Sequence, residues 1–203
     1  MTTRIFMPTI QERNKAGKGL AFDFPSDWRV VKYDQDAEVE TNEPAGFYRS
    51  VILSDGVQQV RGMDIVCRLP GEPERLQFIE VKDERERDPA TNVALRHEEL
   101  RLTVLRKTMG TLAGLLLAER LGTDSLRPMA CLSRQPVVEV VLFLEEPPLP
   151  TRRLTELRKA TEKDRKNILD QKLTAKLHQW GIPFFLYDLE KRKPALWQVR
   201  DLA

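Results

Sequence analysis

Two acidic residues and a lysine stand at a spacing that could support metal-assisted hydrolysis. Asp64 and Glu80 lie on either side of a predicted turn, and Lys82 follows Glu80 by two residues. Carboxylates that face each other repel, and a bound hard cation such as Mg²⁺ or Mn²⁺ would offset that repulsion. Such a cation also lowers the pKa of a bound water and stabilises charge on a phosphate. The chemistry that this set predicts is hydrolysis of a phosphodiester bond.

A predicted β-hairpin must position these three side chains. Residues 70–73 (Pro-Gly-Glu-Pro) form its turn, since proline fixes φ and glycine permits positive φ. Asp64 and Glu80 are equidistant from Glu72, so a regular hairpin would place their Cβ atoms about 5 Å apart on one face. Lys82 shares that face because side chains alternate along a strand.

The remaining pattern predicts an α/β fold. Residues 1–27 look loosely structured, because glycine and proline interrupt any periodicity. Long helices are predicted at 92–121 and from 151 to about 180. A strand meander followed by crossover helices indicates a mixed central β-sheet flanked by α-helices. The predicted strands are 28–33, 47–53, 58–69, 76–82, 137–144 and 182–189.

The acidic residues and the lysine also carry a family resemblance. Gly62-Met63-Asp64, followed after fifteen residues by Glu80-Val81-Lys82, resembles the signature of the PD-(D/E)XK nuclease superfamily. Met63 stands where the signature has its name-giving proline. The predicted elements that follow agree with the superfamily, so the resemblance covers about residues 47–189 and implies a restriction-endonuclease-like core.

The resemblance implies a metal-dependent deoxyribonuclease acting in phage defence, restriction, recombination or repair. Asp64 and Glu80 are then expected to bind Mg²⁺ or Mn²⁺, and the backbone carbonyl of Val81 is a third expected ligand. Lys82 would orient or deprotonate the attacking water. Many members add an acidic residue from an N-terminal helix, and we favour Glu40 over its neighbours Glu38 and Glu43.

Charge is distributed unevenly along the chain. The net charge is only +2, but residues 151–178 hold nine Lys or Arg against four Asp or Glu. Contact with DNA phosphates would need such residues, whereas the alternative is a solvated face of an amphipathic helix. The candidate DNA contacts are Lys107, Arg152, Arg153, Arg158 and Lys159. The resemblance gives Lys107 a second candidate role, because in some members the helix after the motif contributes a Gln or Lys to the site.

The composition predicts one globular, cytoplasmic protein of 203 residues, 41% hydrophobic and 32% charged. We expect an N-terminal segment, 1–46, that packs on or extends a nuclease-like domain, 47–203. Cys67 and Cys131 are too far apart in sequence for a zinc motif and are expected to be buried thiols. RNA stays open as a substrate, and a homodimer or partner subunits could supply specificity. Two alternatives remain, a non-catalytic nucleic-acid-binding or scaffolding subunit of the same fold and a protein–protein adaptor.

Overall fold

The computed structural model describes residues 8–13, 19–35, 48–52, 60–86, 93–123, 126–147, 156–190 and 197–202. Across these residues the chain is a mixed α/β protein with two sheets and two α-helices. Neither of those helices is long and apolar enough to span a membrane. Both cysteines are free and buried, as predicted.

The larger sheet has five strands in the order β3-β4-β5-β6-β7, and the smaller has the order β1-β2-β8. The strands are β1 Thr9–Arg13, β2 Gly19–Asp23, β3 Arg29–Lys32, β4 Ile65–Leu69, β5 Arg75–Asp83, β6 Val137–Glu145, β7 Phe184–Tyr187 and β8 Gln198–Leu202. Strands β3 to β5 pair antiparallel, and β5 to β7 pair parallel, so the predicted mixed sheet is confirmed.

Both predicted long helices are present, as α1 Val93–Leu121 and α2 Glu156–His178. Helix α1 ends where the sequence predicts, because Gly122 adopts a left-handed φ of 64° and its N–H donates to the carbonyl of Glu119. Each helix follows one strand of a parallel pair and so serves as the crossover to the next strand.

Two cores lie on opposite faces of the five-stranded sheet. On β5, Leu76 and Phe78 pack in the core that contains the helices, whereas Ile79 and Val81 pack in the core shared with the smaller sheet. Strand alternation therefore directs Glu80, like Phe78, toward the helical face.

The β4–β5 register agrees with the register predicted from the turn. Ile65 pairs with Ile79 and Leu69 pairs with Arg75, so the hairpin is centred on Glu72. The same register places Asp64 opposite Glu80, one position beyond the end of the ladder. The predicted juxtaposition of the two acidic residues follows directly from this pairing.

The prediction that residues 1–27 are loosely structured is wrong for the described part of that segment. Strands β1 and β2 form an antiparallel pair, and β2 pairs in turn with β8 near the other end of the chain. Leu20 and Phe22 on β2 are fully buried. No local pattern indicates the pairing of β2 with β8, because these two strands lie more than 170 residues apart in the sequence.

Two predicted strands also differ. Residues 48–52 form a short helical turn instead of a strand, and the strand expected from residue 58 begins only at Ile65. In the residues before β4, side-chain hydroxyl groups form hydrogen bonds with backbone groups that a neighbouring strand would otherwise pair with. The Tyr48 hydroxyl donates to the carbonyl of Val60, and the N–H of Met63 donates to Thr111 Oγ1 at 2.9 Å. The edge position beside β4 is already filled by β3.

Candidate functional site

Asp64 lies at the point where β4 begins, and backbone groups on two sides fix it. The N–H of Val81 donates to Asp64 Oδ2 at 2.7 Å, and the N–H of Tyr33 donates to the Asp64 carbonyl at 2.8 Å. The side chain of Asp64 therefore takes the place of a strand partner for β5. This arrangement holds one carboxylate oxygen against the strand that carries Glu80.

A lysine from α1 joins the two carboxylates. Lys107 Nζ lies 2.7 Å from Asp64 Oδ1 and 2.7 Å from Glu80 Oε2. On the other side, Lys82 Nζ lies 2.5 Å from Glu80 Oε1. The four residues Asp64, Lys107, Glu80 and Lys82, here called the acid–lysine cluster, thus form a continuous row of alternating charge.

The acid–lysine cluster is buried at one end and open at the other. Glu80 has 0% exposure, Lys107 7%, and the Lys82 side chain is 31% exposed. Burial, with repulsion from Asp64, raises the pKa of Glu80 to about 7, although both lysines oppose the shift. Burial acts to lower the pKa of Lys107, but the two carboxylates outweigh it and raise that pKa. The inner ammonium is therefore charged, and solvent reaches the cluster beside Lys82.

Sequence reasoning missed Glu12, a further acidic residue near this site. Burial raises the pKa of Glu12 to about 7, against the lowering effect of Lys32 and with a contribution from Asp64. Lys32 Nζ lies 3.5 Å from Glu12 Oε1 and also donates to the carbonyl of Gln11 at 3.0 Å. Glu12 belongs to β1, in the segment that the sequence predicted to be loose. The predicted additional acid, Glu40, lies outside the described residues.

The position of Lys107 at the site is also indicated by helix periodicity. It falls three residues after Val104 and four before Thr111, and both of those are fully buried. A lysine on the buried face of a helix needs an acidic partner, because an unpaired buried charge is costly. The sequence gave Lys107 two candidate roles, a DNA contact and a contribution from this helix to the site, and in the structure its ammonium contacts the two carboxylates.

The other predicted DNA contacts lie outside the side chains that the structure describes. Arg152 and Arg153 lie outside the described residues, and Arg158 and Lys159 belong to α2 at positions whose side chains are not described. In the described part of α2, Leu169, Leu173 and Leu177 form the buried face. The basic segment is therefore an amphipathic helix over that part, as the alternative interpretation requires.

The carboxylates of the acid–lysine cluster fit a hard divalent cation, provided that the ammonium of Lys107 moves away from them. Asp64 and Glu80 offer only carboxylate oxygens, the ligands that Mg²⁺ and Mn²⁺ prefer. Their contacts with one ammonium show that a single cation reaches both groups. Within the described ranges no group of three or more Asp, Glu, His or Cys side chains is arranged to hold a metal ion. A metal would therefore have to displace the ammonium of Lys107.

Comparison with protein-family models, with curated proteins and with solved structures found no match to this chain.

Proposed function

We propose that the protein is a metal-dependent nuclease with a restriction-endonuclease-like core that hydrolyses DNA phosphodiester bonds. The observation that carries this proposal is the contact of one ammonium, Lys107 Nζ, with both Asp64 and Glu80 at 2.7 Å. It identifies a position where one cation is held by two carboxylates. The mixed sheet and the β4–β5 hairpin support the assignment, because they place both acidic residues on one face.

Each residue then has a defined role. Asp64 and Glu80, with the carbonyl of Val81, would hold Mg²⁺ or Mn²⁺, which activates water and stabilises charge on the phosphate. The N–H of Val81 keeps the Asp64 carboxylate oriented toward the site. Lys82 lies at the solvent-exposed end, where its ammonium would orient the attacking water or contact a phosphate oxygen. Glu12 joins Glu40 as a candidate for the additional acidic residue.

The energetic cost of the acid–lysine cluster supports a functional interpretation. Taking charges out of water is expensive, and well-packed apolar residues often replace a buried ion pair with no loss of stability. Glu80 is fully buried and its pKa is strongly raised. Groups of this kind concentrate at functional sites, where catalysis compensates for the cost in stability.

The proposal is tested by cleavage of plasmid, linear duplex, single-stranded and branched DNA with Mg²⁺ or Mn²⁺. We expect Asp64→Asn and Lys82→Ala to lower the rate about 100-fold or more, since metal binding and water activation are removed. Arg200→Ala is the matched control, because this arginine pairs with Asp23 in the smaller sheet. Metal-dependent cleavage that persists in both site variants would refute the assignment of these residues.

One observation favours a second candidate, a non-catalytic nucleic-acid-binding subunit of the same fold. The two lysines already balance the charges of Asp64 and Glu80 without a metal. In that case the acid–lysine cluster would be structural. The same assay separates the candidates, because a binding subunit would retain DNA in a salt-dependent manner without cleaving any substrate.

A further inference from the structure

The outer face of α1 carries large apolar side chains at a strict seven-residue interval. These residues are Leu95, Leu102, Met109 and Leu116, with exposures of 60%, 37%, 53% and 57%. We call them the α1 stripe. The helix also buries residues such as Val104 and Leu115 in the helical core. The α1 stripe is therefore additional to the surface that folds the monomer.

The spacing of the α1 stripe is that of a helix that pairs with another helix. A seven-residue apolar repeat follows a slowly winding line on an α-helix, and a second helix can follow that line by supercoiling around it. From Leu95 to Leu116 the stripe extends about 32 Å at 1.5 Å per residue. Single exposed apolar residues are ordinary, but a continuous row of this length marks an interaction surface.

We propose that α1 packs antiparallel against α1 of a second copy of this chain, with the two-fold axis beside Met109. Met109 then lies against the partner's Met109, and Leu102 lies against the partner's Leu116, since both residues are seven positions from the axis. One patch that meets itself in this way gives a closed dimer. The proposed dimer does not depend on the proposed nuclease function.

The charges beside the α1 stripe favour a second copy in this orientation. Glu99 and Arg120 each follow a residue of the α1 stripe by four positions, so both flank the stripe on the same side. Glu99 precedes Met109 by ten residues and Arg120 follows it by eleven, so in the antiparallel pair Glu99 lies within one residue of the level of the partner's Arg120. Arg106, three residues before Met109, lies within one residue of the level of the partner's Ala113, so it meets no like charge there. A parallel pair in register would instead separate Glu99 from the partner's Arg120 by 21 residues, so this opposite-charge pair would be lost. Opposite charges at such flanking positions set the orientation of paired helices.

The oligomeric state of the full chain, measured by sedimentation equilibrium, tests the pairing. We expect the wild type to be a dimer at micromolar concentrations. Met109→Glu should be monomeric, because it places two carboxylates side by side on the axis. Ile168→Glu is the matched control: it changes an apolar side chain of 48% exposure on α2 and should leave the dimer intact. A wild type that stays monomeric, or a dimer that persists in Met109→Glu, would overturn the proposal.

A charge exchange tests the orientation with variants that keep the apolar α1 stripe. Glu99→Arg and Arg120→Glu should each raise the dissociation constant of the dimer about tenfold by placing like charges opposite each other. The double variant restores an opposite-charge pair and should return the dissociation constant close to the wild-type value. If the double variant is weaker than either single variant, the antiparallel arrangement is wrong.

Discussion

Among the single residues, Lys107 has the largest influence on the candidate site. Its ammonium separates two carboxylates that would otherwise face each other in a buried place. A divalent cation that binds to the same oxygens must take its position. Under the proposed function, a bound metal and the ammonium of Lys107 would therefore compete for the same two carboxylates.

Replacing Lys107 by methionine tests this competition. Without metal, the free energy of unfolding should fall by about 3–5 kcal/mol, because Asp64 and Glu80 lose their shared partner. Mn²⁺ should then raise the melting temperature of Lys107→Met more than that of the wild type, since it no longer competes with an ammonium. Thermal unfolding in EDTA and in Mn²⁺ measures both effects.

Lys176→Met is the control for this substitution, because it changes a lysine near the end of α2 that pairs with Gln179 at the surface. It should leave the response to Mn²⁺ unchanged. If Lys107→Met is stable in EDTA and no more sensitive to Mn²⁺ than the wild type, the two carboxylates do not bind a metal at this position.

How well the sequence predicts the candidate site depends on how many secondary-structure elements contribute its residues. Asp64, Glu80 and Lys82 were placed together from spacing, because a single hairpin with a symmetric turn connects them. Lys107 and Glu12 reach the site from α1 and β1, so their positions depend on tertiary packing. Only the buried helical position of Lys107 offered a local signal, and β1 offered none.

At the scale of elements, α1 approaches the segment that ends at Asp64 through one glycine. A Cβ at Gly110 would overlap the carbonyl oxygen of Arg61, and the next residue, Thr111, accepts the N–H of Met63. Lys107 lies one turn before Gly110 on the same helix. The contact at Gly110 therefore fixes the depth at which Lys107 enters the site.

Gly110→Ala should push α1 away from this segment. Alanine favours a helix by about 1 kcal/mol over glycine, so a net loss of stability would come from the overlap alone. We expect the free energy of unfolding to fall by about 1–3 kcal/mol, the usual effect of overpacking. Urea unfolding measures it.

The exposed position Ala113 provides the control. Ala113→Gly should cost about 1 kcal/mol through helix propensity alone. Gly110→Ala and Ala113→Gly exchange the same two residue types in opposite directions, and both should therefore destabilise the protein. A stabilising Gly110→Ala would mean that α1 does not contact the Arg61 backbone.

The prediction of secondary structure from the sequence succeeded where backbone groups form hydrogen bonds with other backbone groups. Helix α1 and strands β5 and β6 have continuous periodicity and lie in the interior of the fold. Prediction failed near residues 48–52 and 60–64, where the Tyr48 and Thr111 hydroxyls bind the backbone. Those contacts involve side chains from distant positions, so no local window contains the information.

For the whole molecule, Trp197, the residue before β8, connects the smaller sheet to the larger sheet. Trp197 packs beside Phe22 and Phe143, with ring centroids 5.6 and 6.1 Å away. Its Nε1–H donates to Gln77 Oε1 at 2.8 Å, and Gln77 Nε2 donates to Glu139 at 3.2 Å. One aromatic residue thus connects the smaller sheet to two strands of the larger sheet.

This connection also explains why Gln77 is tolerated in the interior. Gln77 is fully buried, and a buried amide is costly unless its oxygen and its N–H groups are satisfied. The amide oxygen depends on Trp197, which is 120 residues away in sequence. Neither strand pattern could predict this pairing, since Gln77 alone resembles an ordinary surface residue of a strand.

Trp197→Phe should separate the hydrogen bond from most of the aromatic packing. The variant keeps a six-membered ring but removes the donor, which leaves Gln77 Oε1 buried without its partner. We expect a loss of about 1–3 kcal/mol in the free energy of unfolding, measured with urea. Trp180→Phe, at a site with 37% exposure, should change it by less than about 0.5 kcal/mol. Adding Gln77→Leu to Trp197→Phe should recover part of the loss, because the unsatisfied oxygen is then absent. Equal stability of the two tryptophan variants would mean that the two sheets are held together by apolar packing alone.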